Sequence, residues 1–472
     1  MTEGKSIALD ALFAAQKKAF STEVYPALEV RLDRLRRLED VLVRNRKSLQ
    51  ESMNADFGNH HPIVTDMFET GGVLGRARHV QANLAEWMKP SARPLVAAVH
   101  GSSQARVIRQ PKGVMGNIAP WNFPVESALV MVCDMLGAGN RVIVKASESA
   151  PATGALLEDI IASTFDGAEL AIVNGGVGLS QYFARLPWDH LTYTGGGQAA
   201  RQIMAAAAEH LTPLTLELGG KNPTLFCDSG VEHQLVERFL YFRIFKGGQV
   251  CTSPDYALVG RRQVAAWLEL AQSAWSGMYP RYVGHPDATG TINDRHYARI
   301  MGYIEQAERA GAQVISLNGD RPDPVSRQIP MYVIVDPPEH LAVMSDEIFG
   351  PVTVLKPYDS FAEAIAYINN RDRPLAAYVV TRNKDEADSF AQTVLSGGVG
   401  INVFGFQGAD PSLPFGGVGP SGMGCHSGFE GFLNYTHQKS VFDCSDDNPL
   451  MLSLKGPYAD MAHAFADAIF PA

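Results

Sequence analysis

From residue 113 onward the chain alternates short apolar runs with amphipathic stretches, and this alternation restricts the fold more than any other feature. Strand-like runs lie at 114–118, 141–145, 169–173, 190–193 and 214–217. Helical periodicity fills the gaps near 125–136, 152–163, 178–184 and 198–209. Such an order predicts a parallel sheet with helices on both faces. Ligands of such sheets sit at the carboxyl ends of the strands. A second stretch, 218–405, repeats the mixture, with strands at 224–226, 257–259, 332–335, 352–356 and 377–380 and helices at 231–246, 263–275, 294–309 and 361–369.

The flanks differ. Residues 5–55 predict two helices, and 56–89 continues mostly helical until Pro90 and Pro94, since proline cannot continue a helix. Residues 94–110 alternate around Gly101-Ser102-Ser103 and predict a hairpin outside the main sheet. Residues 406–440 are rich in glycine and aromatics and predict loop, with a short strand near 439–442. With 472 residues, the chain exceeds what one core serves. We divide it into 1–93 with 111–217, then 218–405, with 94–110 and 406–442 as bridging elements and 443–472 as a tail packed against the protein.

The formal charge of −10 argues against nucleic acid, which demands a basic footprint. The arginines within 31–46 accompany Leu32, Leu35, Leu38, Val41 and Leu42 at helical spacing and predict the solvated face of an amphipathic helix. No apolar run reaches the length of a membrane span. Five scattered cysteines without a CxxC pair fit a reduced, cytoplasmic compartment. His60-His61 lacks further ligands at metal spacing, so the expectation is a surface turn and no metal.

Several polar residues stand at strand ends or in Gly/Pro turns. Cys251 follows Gly247-Gly248 in a loop closed by Pro254; it reads either as a buried apolar thiol or as a nucleophile whose proton something must take. Glu217 ends an apolar strand before Gly219-Gly220, where desolvation raises a carboxyl pKa and suits it to general-base work; it reads equally as a turn cap. Asn122, between Pro120 and Pro124, is either an aimed oxyanion donor or a turn residue. Lys145 and Glu148 can grip ribose hydroxyls or pair with each other at a helix N-terminus. Thr194-Gly195-Gly196-Gly197 opens a helix where phosphate can approach. Glu347, beside Phe349, sits in a Gly/Pro loop as a ligand or a solvated charge.

Taken in order, Pro-Trp-Asn122-Phe-Pro, Lys145-Ala-Ser-Glu148, Leu-Glu217-Leu-Gly-Gly-Lys-Asn-Pro, Gly-Gln-Val-Cys251, Glu347-Ile-Phe-Gly-Pro and Pro-Phe-Gly-Gly-Val-Gly-Pro-Ser-Gly resemble the aldehyde dehydrogenase superfamily over about residues 20–442. Cys-Thr-Ser-Pro-Asp-Tyr256 and Gly-Met-Gly424 resemble its class 3 branch, and within it the bacterial coniferyl-aldehyde dehydrogenases. The resemblance implies a Rossmann-type cofactor domain, an α/β catalytic domain and a small β oligomerisation element. It implies NAD, with NADP possible, and a homodimer. It implies Cys251 as nucleophile, Glu217 as base, Asn122 as oxyanion donor, Lys145 and Glu148 on the adenine ribose, Gly195 and Gly196 at the pyrophosphate, and Glu347 with Phe349 at the nicotinamide riboside. The implied reaction is oxidation of an aromatic or medium-chain aldehyde to the acid through a thioester. A CoA-acylating enzyme and a cofactor-free cysteine thioesterase or acyltransferase are the alternatives.

Three positions depart from the family pattern. The pyrophosphate loop reads Gly195-Gly196-Gly-Gln-Ala-Ala200, without the usual serine and last glycine. Lys145-Ala-Ser-Glu148 replaces Lys-Pro-Ser-Glu. His426-Ser427-Gly428 stands where class 3 members carry Tyr-His-Gly.

Overall fold

The computed structural model describes residues 2–458 and 460–470. Met1, Ala459, Pro471 and Ala472, the extremes of the first segment and parts of the tail expected from the sequence, lie outside the described residues. The fold is α/β, with three sheets.

The first sheet has Leu214–Leu218, His190–Gly195, Val114–Ile118, Arg141–Lys145 and Leu170–Val173 side by side and parallel. The first of these strands along the chain, Val114–Ile118, lies in the middle. The second pairs on one side of it and the fourth on the other. That reversal opens a crevice at the strands' carboxyl ends. Helices Glu126–Gly137 and Pro151–Ala162 cover one face and Val177–Ala184 and Gly197–Ala208 the other, each burying apolar residues against the strands. The glycine-rich segment expected as loop supplies one more strand, Gly422–Met423, antiparallel to Leu214–Leu218 and opposite Glu217.

The second sheet runs Gln313–Ser316, Tyr332–Val335, Val352–Tyr358, Tyr256–Gly260, Pro223–Phe226, Ala376–Val380 and Gly398–Ile401, all parallel except the first pair. Strands such as Ala376–Val380 are buried along their whole length, which explains why they read as continuous apolar runs. The third sheet is antiparallel, with Gln104–Pro111 between Ser91–Arg93 and Thr436–Asp443.

Four expectations need correction. The hairpin around Gly101 has Ser91–Arg93 as its first arm; Ala97–His100 forms a helical turn instead, fixed where Ser102 N–H and Oγ–H donate to Asp447. The N-terminal region holds three helices, Thr2–Thr22, Leu28–Arg44 and Arg46–Phe57, because Asn45 breaks the expected second one. The arginines of Leu28–Arg44 are not all solvated: Arg31 and Arg34 are buried. Arg31 donates to the carbonyls of Pro26 and Gly137, and Arg34 pairs with Glu23 and Glu169. The tail docks only as far as Pro449–Ser453, through Asn448 on Ser103. Beyond it, helix Asp460–Ile469 buries no residue, and Tyr458, Met461, Ile469 and Phe470 are exposed.

Candidate active site

Cys251 is presented by a tightly turned approach. Lys246, Gly247 and Gly248 all take left-handed backbone angles (φ 51°, 64° and 74°). At Gly248 a Cβ would lie 2.4 Å from the Gly350 carbonyl group, so glycine is required there. The turn is pinned on both sides. Gln249 Nε2 donates to the carbonyls of Lys246 and Gly290, and its Oε1 accepts from Ile292 N–H. Asn222 Nδ2 donates to the Cys251 carbonyl at 2.7 Å and to that of Ser253. The thiol is half-buried and opens onto two cavities. Burial, then the nearby carboxyls of Glu347, Glu126 and Glu217, push its pKa up. The thiol is therefore neutral in this state and needs a base to become a nucleophile.

Glu217 borders the same two cavities as the thiol. Strand register sets it opposite Thr194. Its side chain is buried, neither carboxyl oxygen has a hydrogen-bond partner, and burial raises its pKa well above the ordinary range. Asn122 is also buried, and its Nδ2 donates to the Gln249 carbonyl, two residues before Cys251. Behind it, Lys246 Nζ donates to the Asn122 carbonyl and to Glu69, whose carboxylate also takes the N–H groups of Val125 and Glu126.

Two cavities meet at these residues. The larger, about 820 Å³, is lined by Glu148, Gly195, Gly196, Glu347 and Phe349. The smaller, about 360 Å³, is walled by Phe68, Phe123, Phe242, Phe245, Phe406 and Phe415. Asn122, Thr194, Glu217, Leu218 and Cys251 border both.

The larger cavity fits a dinucleotide. Glu347 has a buried carboxyl oxygen without a partner, an acceptor waiting for a hydroxyl. Burial, then the Asp255 charge, pushes its pKa up to about 8. Gly219 makes room for that carboxyl: a Cβ there would lie 2.2 Å from it. At Gly196, the residue before helix Gly197–Ala208, a Cβ would meet nothing within 4 Å, leaving space for a phosphate at the helix N-terminus. Lys145 is buried and donates to the Ala146 carbonyl and, at 3.4 Å, to Glu148 on the cavity rim. Burial lowers its pKa, with Glu148 opposing. Phe349, at φ 50°, meets Trp121 edge-on at 5.3 Å.

Some supports of the site were not anticipated. Asp255 accepts from Lys221 at 2.9 Å, from Arg243 and from Ile348 N–H, tying the Cys251 loop to the loop of Glu347. Lys221-Asn222 directly after Gly219-Gly220, and Asp255 directly after Pro254, were the sequence signals for this knot. His60 corrects the surface-turn expectation: it is buried against Phe57 and bonded to Thr65, and burial, then the Lys246 charge, lowers its pKa to about 2. His426 is buried too, neutral, with Nδ1 unpartnered.

Residues 1–441 match the model of the aldehyde dehydrogenase family. The chain belongs to that family. A probable coniferyl aldehyde dehydrogenase of Caulobacter vibrioides is 38% identical over 94% of this chain and 93% of its own. The coniferyl aldehyde dehydrogenase of a Pseudomonas species is 36% identical over 96% and 94%. Among solved structures, the substrate-bound AldH of Staphylococcus aureus superposes with a TM-score of 0.90 at 26% identity, covering 98% of this chain and 99% of that one. A Mycobacterium tuberculosis aldehyde dehydrogenase complexed with NAD+ gives 0.83 at 26%, over 92% and 90%. As an aldehyde dehydrogenase, this chain is an NAD(P)-dependent enzyme that oxidises aldehydes to acids. Among the described residues no helix is long and apolar enough to cross a membrane.

Proposed function

We propose that this aldehyde dehydrogenase works through a covalent thioester on Cys251, with Glu217 as general base and Asn122 as side-chain oxyanion donor. The observation that carries the reading is the placement of these three at the junction of a dinucleotide-sized cavity and an aromatic-walled one. The dinucleotide, when bound, supplies the hydride acceptor. Lys145 and Glu148 would hold its adenine ribose, Gly195 and Gly196 its pyrophosphate, and Glu347 with Phe349 its nicotinamide riboside. Glu148 favours NAD, because a carboxylate repels a 2′-phosphate at close range.

The chain's own residues do the rest. Cys251 gives up its thiol proton to water in the cavity, and the thiolate sulfur bonds to the aldehyde carbon as the C=O π bond opens, leaving a thiohemiacetal oxyanion. Asn122 Nδ2 has one proton on the Gln249 carbonyl and a second to offer; such a donor is worth roughly 10²–10³ in rate. Once the acyl group stands on Cys251 as a thioester, Glu217 takes a proton from water, the hydroxide adds to the acyl carbon, and the C–S bond breaks to release the acid. An unpartnered, raised-pKa Glu217 favours water over CoA as acceptor, and the larger cavity would be idle in a cofactor-free thioesterase.

The phenylalanines of the smaller cavity favour an aromatic or medium-chain aldehyde, in keeping with the names of its relatives. NAD(P)H absorbance with such aldehydes, with and without CoA, tests the reading: formation independent of CoA supports it, and strict dependence on CoA overturns the hydrolytic step.

We further read residues 1–93 with 111–217 as the cofactor unit, 218–405 as the catalytic unit, and 94–110 with 406–442 as the bridging element of a cytoplasmic homodimer. Strand Thr436–Asp443 supports the dimer, since it is an edge of its sheet and largely exposed, and edges need a partner. Light scattering should return about twice the 51.1 kDa of the chain; a monomer mass would refute the dimer.

A further inference from the structure

Among the described residues, the smaller cavity carries one acidic side chain that neither the reaction nor an ion pair occupies. Glu126 stands at the first position of helix Glu126–Gly137, four residues after Asn122, and lines the smaller cavity but not the larger. Its stem crosses Gly72, where a Cβ would come within 3.2 Å of the Glu126 Cγ. One carboxyl oxygen accepts from the Ser127 hydroxyl at 2.9 Å; the side chain is half-buried, and its other oxygen is open to the cavity. The remaining charged groups of that wall are committed. Arg76 donates to Asp134 at 2.7 Å, and His426 is neutral. Water can satisfy that oxygen in the free enzyme, so a bound substrate that displaces the water must offer a donor in its place, and the space in front of it is where the aldehyde's body must lie.

We infer that Glu126 is a specificity-determining residue that selects aryl aldehydes carrying a hydroxyl donor away from the formyl group. This rests on the reading of Cys251 as the nucleophile. A hydroxyl is favoured over an ammonium group because Arg76 lines the same cavity and Lys246 lies behind Glu126; both act on its carboxyl. The groups facing Glu126 are Ser127, Glu69, Arg76 and Lys246. Burial, with the Glu69 charge adding and Ser127, Arg76 and Lys246 opposing, brings its pKa up to about 7. An ionised Glu126 is the stronger acceptor, so discrimination should grow as pH rises through neutrality.

The test compares kcat/KM, with NAD saturating, for 3- and 4-(hydroxymethyl)benzaldehyde against their methoxymethyl and ethyl counterparts. The methoxymethyl compounds can accept but not donate, and none of the substituents titrates in the range used. The native enzyme should prefer one hydroxymethyl isomer, and Glu126→Leu should lower that preference by roughly 10–100-fold, as expected for a hydrogen bond to a charged group. Glu126→Gln keeps the shape and should lower it less, while removing its rise between pH 6 and 8. Equal use of hydroxymethyl and methoxymethyl substrates by the native enzyme overturns the inference. So does an unchanged preference in a folded Glu126→Leu, a preference for a trimethylammoniomethyl analogue, or oxidation of hexanal but of no aryl aldehyde. Failure of every aldehyde, hexanal included, to yield NADH overturns the proposed chemistry itself. If Glu126→Leu does not fold, the pH dependence of the preference in Glu126→Gln decides.

Discussion

The two cavities that meet at Cys251 are built by different means. The larger one gathers strand ends and the turns just after them: Ile118, Ser147 with Glu148, Thr194 to Gly196, and Leu218 with Gly219. Its polar groups sit where a parallel sheet places them, so topology alone brings them together. The smaller one is a meeting of helix faces and loops. One helix offers Gly71, Gly72 and Gly75, another Glu126 and Val130, a third Phe242, and the segment near 405–415 closes it. Its shape depends on side-chain size at positions far apart in the chain. The two share Asn122, Thr194, Glu217, Leu218 and Cys251. The first cavity should therefore govern cofactor parameters, the second aldehyde parameters, and the shared residues both half-reactions.

Substitutions at the junction should have the largest effects. Cys251→Ala should abolish turnover, by roughly 10⁶ if it behaves as other nucleophile deletions do, while NAD titration shows near-native binding. Equal loss of NAD binding would make Cys251 a structural residue and blur the division between the cavities. Glu217→Gln should come next. One equivalent of NADH should appear in a burst, steady turnover should fall by roughly 10²–10⁴, and mass spectrometry should find the acyl group on Cys251. A vanished burst in a folded, NAD-binding variant would move Glu217 to an earlier step, such as deprotonating the thiol.

A paired test addresses each cavity alone. Gly219→Ala pushes the Glu347 carboxyl aside and should raise the KM for NAD by roughly fivefold, the worth of one neutral hydrogen bond, with little change for aldehydes. Gly75 has nothing within 4 Å of a prospective Cβ. Gly75→Leu should lower kcat/KM for aryl aldehydes by roughly tenfold or more and leave the KM for NAD alone. Crossed effects in the two variants would show that the cavities are not independent.

The smallest effect is on stability. Glu347 has a folded pKa of about 8 against an ordinary 4.5. The native chain thus keeps a proton that the unfolded chain has released between those values, and stability falls as pH rises through that window. The melting temperature without cofactor should drop by roughly 1–3 °C between pH 6 and 8.5, and by less in Glu347→Gln. An identical drop in both proteins would show that other groups carry it.

Much of the larger cavity was legible because its signals are local. Cys251, Glu217, Gly195 and Glu347 each stand within three residues of a glycine or proline in the sequence, and a strand followed by glycine is visible from nearby residues. The supports were not. Asp255 joins Lys221, Arg243 and Ile348 from three separate segments; the turns beside Lys221 and Asp255 mark the positions in the sequence but not which of them meet. Arg31 and Arg34 have the periodicity of a solvated face, yet Gly137 and Glu169 meet them from more than a hundred residues away. His60 differs: Phe57 and Thr65, which it packs against and bonds to, are sequence neighbours, but the Lys246 charge acting on it comes from a remote segment.

Residue order was enough for the parallel cofactor sheet, its carboxyl-end site and the polar residues at it, because hydrophobic period and strand-end position are properties of neighbours. The tertiary structure alone decided that Glu126 lines the smaller cavity over Gly72, that Lys246 stands behind Asn122, and that Leu454, Tyr458, Met461, Ile469 and Phe470 of the tail stay exposed. Those outcomes depend on which distant surfaces arrive and on the space left between them, and a one-dimensional pattern does not encode that space.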